Sequence, residues 1–159
     1  MTFSNPDTEN IRQLLRKIHS IAIVGLSSNE ARPSFSVARG LQGLGYRIIP
    51  VRPLHGGAKP TGAGVAASQL GEQAYPDLES LPELPDIVDV FRSAEHVPAI
   101  VESCIKLGIK NLWLQEGVIH EVAAQRAQQA GITVVMNRCM WRDCKQLCGE
   151  RAVMNTHHE

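Results

Sequence analysis

The chain has 159 residues, equal numbers of acidic and basic side chains and therefore a formal net charge of zero, with 43% hydrophobic and 20% charged residues. This composition is ordinary for a globular domain, and nothing in the balanced charge indicates a nucleic-acid or membrane partner. No apolar run approaches the roughly 20 residues needed to cross a bilayer. We expect one domain without a nucleic-acid or membrane partner, acting in the cytoplasm with its four cysteines reduced.

Apolar residues alternate between helical spacing and short β-branched runs along the chain, and glycines punctuate the segments. The predicted helices are Thr8–Lys17, Ser34–Leu44, a segment from Val97 that closes at Gly108, Ile119–Ala130 and Trp141–Leu147. The predicted strands are Ser20–Gly25, Tyr46–Val51, a short edge strand at Leu70–Ala74, Ile87–Phe91, Leu112–Leu114 and Thr133–Met136. Regular alternation of strands and helices predicts an α/β, Rossmann-like three-layer fold whose mostly parallel sheet is covered by helices on both faces. Residues 1–17 form a lead-in helix, 18–148 the core and 149–159 a disordered tail in this prediction.

The first predicted strand runs into a polar loop, Gly25 to Ser34, and directly into a helix. A helix N-terminus that follows a strand offers unpaired N–H groups to a phosphate. The loop lacks both the G-x-G-x-x-G spacing of dinucleotide enzymes and the P-loop pattern. Ser27 and Ser28 are candidate pyrophosphate ligands, with the backbone N–H groups of about Phe35 to Val37 facing the same group; the alternative is that both serines only shape the turn.

Ligands of open parallel sheets bind beyond the carboxyl ends of the strands, so the residues that follow each strand are candidates. Arg52 follows the second strand, where enzymes that use NAD place an acidic residue for the ribose hydroxyls. A cation there fits a ribose that carries a phosphate, as in NADP and coenzyme A (CoA), and the alternative is a solvated surface arginine. The residues after the later strands are Phe91, Arg92, Gln115, Glu116, Gly117, Asn137, Arg138 and Cys139.

The cysteines and histidines match no strong metal-binding pattern. Cys139, Cys144 and Cys148 have C-x4-C-x3-C spacing, and His157 and His158 lie in the tail. Cys139 follows a strand end beside Arg138, where a positive neighbour favours the thiolate, although a packed thiol is the simpler interpretation. We find no catalytic set of residues, and this favours a binding module over an enzyme.

Several blocks of sequence together resemble the CoA-binding domain family of small stand-alone proteins, which is similar to the N-terminal domain of the succinyl-CoA synthetase α subunit. The resemblance spans about Ile18 to Leu147, most of the chain. Its blocks are Ile23-Val24-Gly25-Leu26-Ser27, Arg32-Pro33-Ser34, Gly45 to Val51, Leu70-Gly71-Glu72 with Tyr75-Pro76, Pro85 to Arg92, Glu95-His96-Val97-Pro98, Trp113 to Gly117 and Asn137-Arg138-Cys139.

The resemblance implies a Rossmann-like domain that binds CoA or an acyl-CoA through its nucleotide end. Gly25, Ser27, Arg32 and Ser34 to Val37 would cradle the phosphates, Val51, Arg52 and Pro53 would meet the adenosine, and Phe91 with Arg92 would line the cleft. The full candidate set also holds Ser28, Ser36, Gln115, Gly117, Asn137, Arg138 and Cys139. Three departures stand out: relatives commonly have asparagine at the position of Arg52, Leu54–Gln69 is longer than usual, and Met140-Trp141 replaces a segment that often contains proline.

The sequence therefore predicts a non-catalytic CoA-binding protein. A complete acyl-CoA ligase is excluded, since the synthetase's phosphorylated histidine belongs to a separate domain. The alternatives are an NADP-dependent nucleotide-binding enzyme, suggested by Arg52, and a CoA-linked redox or interaction module that uses Cys139. A protein partner or a homo-oligomer is compatible with each of these functions.

Overall fold

The computed structural model describes residues 3–52 and 68–148 of the chain. Its helices are α1 Thr8–Lys17, α2 Pro33–Gly43, α3 Val97–Leu107, α4 Glu121–Gln129 and α5 Met140–Leu147. Its strands are β1 Ser20–Val24, β2 Arg47–Val51, β3 Ser68–Gln69, β4 Glu72–Gln73, β5 Ile87–Val90, β6 Asn111–Leu114 and β7 Thr133–Met136. These bounds agree with the predicted helices and main strands to within one or two residues. None of the described helices is both long and apolar enough to cross a membrane.

Five strands form one parallel sheet in the order β2-β1-β5-β6-β7. The chain passes from β1 to β2 on one side and later crosses to β5 on the other side of β1. The strand order therefore reverses between β1 and β5, and the loops that leave these two strands diverge to open a crevice at their carboxyl ends. The predicted Rossmann-like parallel sheet is confirmed.

Two apolar cores, one on each face of the sheet, complete the three layers. In β1, Ile21 and Ile23 pack on the face that α1, α2 and α5 cover, whereas Ala22 and Val24 pack on the face of α3 and α4. The alternation follows from the two-residue period of a strand, and burial on both faces explains why the strands are apolar throughout. Helices therefore cover both faces of the sheet, as the sequence predicts.

The segment between β2 and β5 differs from the prediction. Leu70–Ala74, predicted as a single edge strand, instead contributes the turn and second strand of the antiparallel β3–β4 hairpin. Leu70 and Gly71 form this turn with φ angles of 55° and 77°. Two antiparallel strands can be joined by a turn of only two residues. The edge of β2 pairs with this segment of the chain at a single parallel bridge, between Val51 and Tyr75. Most of the Leu54–Gln69 stretch and the tail 149–159 lie outside the described residues.

Candidate functional site

A cleft of about 1180 Å³ opens at the carboxyl ends of the sheet strands. The first loop of the fold, the ends of β2, β5 and β6 and the start of α5 form its walls. Thirteen of the residues predicted from the sequence line it: Gly25, Ser27, Ser28, Arg32, Ser34, Ser36, Val37, Arg52, Phe91, Arg92, Gln115, Gly117 and Cys139. The topology thus brings together side chains from five separate segments, as expected for the crevice where strand order reverses.

Gly25 allows the chain to leave β1 close to the end of β5. Its φ angle is +92°, and its N–H donates to the Val51 carbonyl at 2.7 Å. A Cβ atom at this position would lie 3.0 Å from both the Phe91 carbonyl oxygen and Arg92 Cδ. Glycine is therefore required for the conformation and for the close approach of the two segments that form the cleft floor.

Hydrogen bonds within the β1–α2 loop fix its shape. The Ser27 N–H donates to Ser34 Oγ, and the Asn29 N–H donates to Ser27 Oγ, both at 3.0 Å. The Ala31 N–H donates to Asn29 Oδ1 at 2.9 Å. Each serine hydroxyl accepts one of these bonds and keeps its own hydrogen to donate to a second partner. Ser27 and Ser34 therefore shape the turn and can also donate to an anion, so for Ser27 the two alternatives raised by the sequence are compatible.

The N-terminus of α2 faces the same cleft through Arg32, Pro33, Ser34, Ser36 and Val37. No described side chain caps this helix, Pro33 occupies its first position, and its first turn carries no acidic residue. An uncapped N-terminus concentrates positive partial charge and suits an anion. The backbone N–H groups of Phe35 and Ser36 both donate to the Arg32 carbonyl, at 3.1 and 3.2 Å. These two N–H groups are therefore only partly available to the phosphate that the sequence predicts them to face.

The described lining of the cleft contains four arginines, Arg32, Arg52, Arg92 and Arg142, and a single carboxylate, Glu116. Arg142 holds Glu116 in a two-point ion pair with distances of 2.8 and 3.0 Å. These hydrogen bonds and the charge of Glu116 raise the pKa of Arg142. The excess of guanidinium groups makes the cleft a suitable site for an anionic ligand.

Four predicted site residues lie in the structure but outside the cleft lining, and Pro53 lies outside the described residues. Phe35 is buried in the core, with the Arg39 guanidinium 5.1 Å above its ring, and Val51 is buried at the β2 edge. Asn137, with a φ angle of 62°, accepts the Gly117 N–H through Oδ1 at 2.8 Å. Its role is to hold the loop that follows β6.

Arg138 was predicted to contact the ligand, but it is not among the described residues that line the cleft. Its guanidinium donates two hydrogen bonds to the buried carboxylate of Asp143, which raises the pKa of Arg138, and its carbonyl accepts the Trp113 indole N–H at 2.7 Å. The Arg138 guanidinium therefore belongs to a structural pair with Asp143.

Seven lining residues were not in the predicted set: Leu26, Pro33, Ser93, Glu116, Val118, Trp141 and Arg142. Most of these are chain neighbours of predicted residues, so a wider window around each strand end would have found them. Trp141 and Arg142 belong to the first turn of α5, and the position of that turn over the cleft depends on how α5 packs against α2. No local signal in the sequence carries that information.

The cysteines occupy different environments. Cys139 is at the N-cap of α5, lines the cleft and is 8% exposed. Cys104 and Cys144 are buried in the two cores, and desolvation raises the pKa of their thiols to about 12 and about 11. Within residues 3–52 and 68–148, no group of three or more His, Cys, Asp or Glu side chains is arranged to hold a metal ion. His157 and His158 are outside the described part of the chain.

Comparison with known proteins identifies the family. A family model described as "CoA binding domain" matches residues 19–145. The chain belongs to this CoA-binding domain family. The matched range includes every described segment of the cleft, from the β1–α2 loop to the first turn of α5. The resemblance inferred from the sequence blocks is therefore confirmed.

Two relatives are similar to the chain over most of its length. The chain is 34% identical over 136 residues to the uncharacterized protein YneT of Bacillus subtilis, with 86% of this chain and 93% of that protein covered. A solved structure described as a hypothetical protein from Pyrococcus horikoshii is similar with a TM-score of 0.80 and 31% identity, covering 94% of this chain and all of that one.

A larger protein shares only the fold. Part of a dinucleotide-forming acetyl-coenzyme A synthetase from Ca. Korarchaeum cryptofilum matches with a TM-score of 0.57 and 20% identity. The match covers 77% of this chain but 27% of the synthetase. The likeness is one of fold, and it lies within a longer chain.

Proposed function

We propose that the protein binds CoA or an acyl-CoA in this cleft, through the nucleotide and pyrophosphate end of the ligand, and does not itself catalyse a reaction. The observation that carries the proposal is the coincidence of an arginine-rich cleft with the uncapped N-terminus of α2, in a chain that belongs to the CoA-binding domain family. CoA supplies the matching chemistry, since it carries a pyrophosphate and a separate ribose phosphate.

The pyrophosphate would lie against the β1–α2 loop and the start of α2. There the Ser27 and Ser34 hydroxyls have hydrogens to donate, Arg32 supplies a charge and the helix N-terminus supplies a favourable field. Gly25 allows the segments that form the floor of the cleft to approach each other closely. The hydrogen bonds described for the two hydroxyls come from backbone N–H groups and not from a His or carboxylate that could act as a base, which supports a binding role.

Arg52 would bind the ribose phosphate. It follows β2 at one end of the cleft lining, next to the strand from which the β1–α2 loop emerges. A guanidinium pairs with a phosphate through charge-assisted hydrogen bonds worth about 1.5–3 kcal/mol each. Loss of one such bond weakens binding by about tenfold or more.

Isothermal titration calorimetry with CoA, acetyl-CoA, dephospho-CoA and NADPH tests this proposal. We expect CoA to bind at sub-millimolar concentration and Arg52→Ala to weaken CoA binding by about tenfold or more, with a much smaller effect on dephospho-CoA. Arg47→Ala is the matched control, since Arg47 lies at the opposite end of β2, exposed and paired with Glu83. Absence of CoA binding would refute the proposal, and equal losses for both ligands would remove Arg52 from the ribose phosphate.

The same titration tests a second candidate, an NADP-dependent enzyme. Arg52 favours it as well, because NADP also carries a phosphate on the adenosine ribose. Selective binding of NADPH with no binding of CoA would support this function against the first one.

A further inference from the structure

One arginine of the cleft lining is held by a histidine four residues further along the chain. The Arg92 guanidinium donates from Nη2 to His96 Nε2 at 3.0 Å, and both side chains are half-buried. A guanidinium has N–H donors and no acceptor, so Nε2 of His96 accepts this bond and carries no hydrogen. The contact therefore requires a neutral imidazole with its hydrogen on Nδ1, and it leaves the positive charge of Arg92 intact.

The surrounding backbone fixes the position of this pair. The His96 N–H donates to the Ser93 carbonyl at 2.9 Å and closes a 3-10 turn directly before α3. The next residue, Val97, begins α3 and is fully buried in the apolar core. The stem of Arg92 passes close to Gly25, since a Cβ atom there would lie 3.0 Å from Arg92 Cδ. The stem and the guanidinium of Arg92 are therefore both held in place.

Arg92 differs from the other arginines of the described lining. Arg142 is neutralised by its two-point ion pair with Glu116. Arg32 is exposed, so its long side chain loses rotamer freedom when it binds a ligand. Arg52 is assigned to the ribose phosphate in the proposed function. Because the partner described for Arg92 is a neutral group, Arg92 keeps its full charge in a position that is set before a ligand binds, and this lowers the cost of binding an anion.

The sheet order places Arg92 beside the site proposed for the pyrophosphate. Arg92 follows β5, and β5 is the neighbour of β1 on the side away from β2. Neighbouring strands are about 4.8 Å apart. The β1–α2 loop therefore emerges between the strand that leads to Arg52 and the strand that leads to Arg92. A CoA molecule with its ribose phosphate at Arg52 and its pyrophosphate at this loop presents the pyrophosphate to Arg92.

We propose that His96 is a positioning residue that holds the Arg92 guanidinium against the pyrophosphate of the bound ligand. Arg92 has further N–H groups, besides the one given to His96, to donate to phosphate oxygens. His96 acts only through Arg92, and it is not among the described residues that line the cleft. The ligand part of this inference rests on the proposed function, whereas the tautomer of His96 does not.

Isothermal titration calorimetry with CoA and dephospho-CoA tests the ligand contact, because both ligands carry the pyrophosphate and only CoA carries the ribose phosphate. We expect Arg92→Ala to weaken the binding of both ligands equally, by about tenfold or more. Arg52→Ala should instead act mainly on CoA. The control is Arg126→Ala, since Arg126 is exposed on α4 and paired with Glu102. Unchanged affinities of Arg92→Ala, or a loss confined to CoA, would overturn the assignment of Arg92 to the pyrophosphate.

Substitutions of His96 test the positioning role. His96→Leu cannot accept a hydrogen bond and should weaken the binding of both ligands by about two- to tenfold, because Arg92 then loses its freedom only on binding. His96→Gln offers a carbonyl oxygen and should restore most of this affinity. The control is His19→Leu, at an exposed histidine before β1, at the opposite end of the strand from the cleft.

A double substitution separates positioning from other effects of His96. In an Arg92→Ala background, His96→Leu should cause no further loss of affinity. A loss that persists in this background would show that His96 acts on the ligand in another way, and it would overturn the proposal. Unchanged affinity of the single variant His96→Leu would also overturn it.

The tautomer of His96 is measured by 15N NMR of the imidazole at about pH 8, where an ordinary imidazole is neutral. We expect the hydrogen on Nδ1, although a free imidazole side chain prefers the opposite tautomer. A hydrogen on Nε2 would exclude the bond from Arg92 and overturn the positioning role. If the unmodified protein binds neither CoA nor dephospho-CoA, the proposed function and the pyrophosphate contact fail together, and the NMR result still decides whether the Arg92–His96 pair exists.

Discussion

The contact between Gly40 of α2 and Trp141 of α5 allows a quantitative test of how the cleft wall is built. A Cβ atom at Gly40 would lie 2.2 Å from Trp141 Cε2 and 2.4 Å from Cδ2. Ordinary carbon–carbon contacts are about 3.5–4.0 Å, so Gly40→Ala forces a displacement of more than about 1 Å. The contacted atoms belong to the rigid body of the indole, whose face is also covered by Lys145 Nζ at 3.8 Å from the ring centroid. The ring therefore cannot yield by a small rotation of a side-chain tip.

Gly43 is the matched control for this substitution. It lies in the same helix, is exposed, and a Cβ atom there would meet nothing within 4 Å. Both substitutions gain up to about 1 kcal/mol from the higher helix propensity of alanine. The difference between the two variants therefore isolates the overpacking cost against Trp141, which we place at about 1–3 kcal/mol.

Urea denaturation, which measures the free energy of unfolding, tests the predicted difference between the two variants. We expect Gly43→Ala to be as stable as the original protein or more stable, and Gly40→Ala to be less stable than Gly43→Ala by the amount above. In a Trp141→Ala background, Gly40→Ala should lose its cost, because the ring is gone. Equal stabilities of Gly40→Ala and Gly43→Ala would refute the packing argument. Since Trp141 lines the cleft, Gly40→Ala should also weaken CoA binding.

Three further substitutions or conditions test other parts of the structure. Tyr46→Phe removes the hydroxyl that donates to a carbonyl in the last turn of α1 at 2.6 Å, and should lower the unfolding free energy by about 1–3 kcal/mol in urea denaturation. Cys104 and Cys144 keep their protons in the fold to pKa values of about 12 and about 11, whereas unfolded thiols ionise near 9.0. The stability that the two protonated thiols add to the fold is therefore fully present below pH 9 and is lost as the pH rises towards 12. An unfolding free energy that stays level across this pH range would contradict this prediction. Gly25→Ala combines strain at φ +92° with a tight contact, and should be less stable than Gly131→Ala, which has φ +93° but open space around it; equal stability of the two would exclude the contact.

The main elements could be predicted from the sequence because their signals are local. The apolar β-branched runs of β1 and β5, and the helical spacing in α3 with Gly108 at its end, depend only on nearby residues. The hairpin at 68–73 could not be predicted in this way. The short segment around Leu70 has little apolar pattern of its own, and its pairing partner decides its conformation.

Most of the cleft lining could also be predicted, since parallel strands all end at the same edge of the sheet. Arg138 is outside the described lining because its side chain had a choice of partners. Arg138 follows a strand like the other candidates, but Asp143, one turn further on in α5, is the carboxylate that it contacts. Which partner is closer depends on the orientation of α5, and no spacing in the chain encodes it.

By itself, therefore, the sequence determined the α/β class, the order of the elements, the family and the edge of the sheet where the cleft lies. Each of these depends on periodicity and on motifs whose residues are close together in the chain. The tertiary structure alone decided that Trp141 and Arg142 close the cleft and that Asp89 and Gln115 meet beneath it. These contacts join residues from different elements, and their existence depends on helix packing and strand register, which are global properties of the fold.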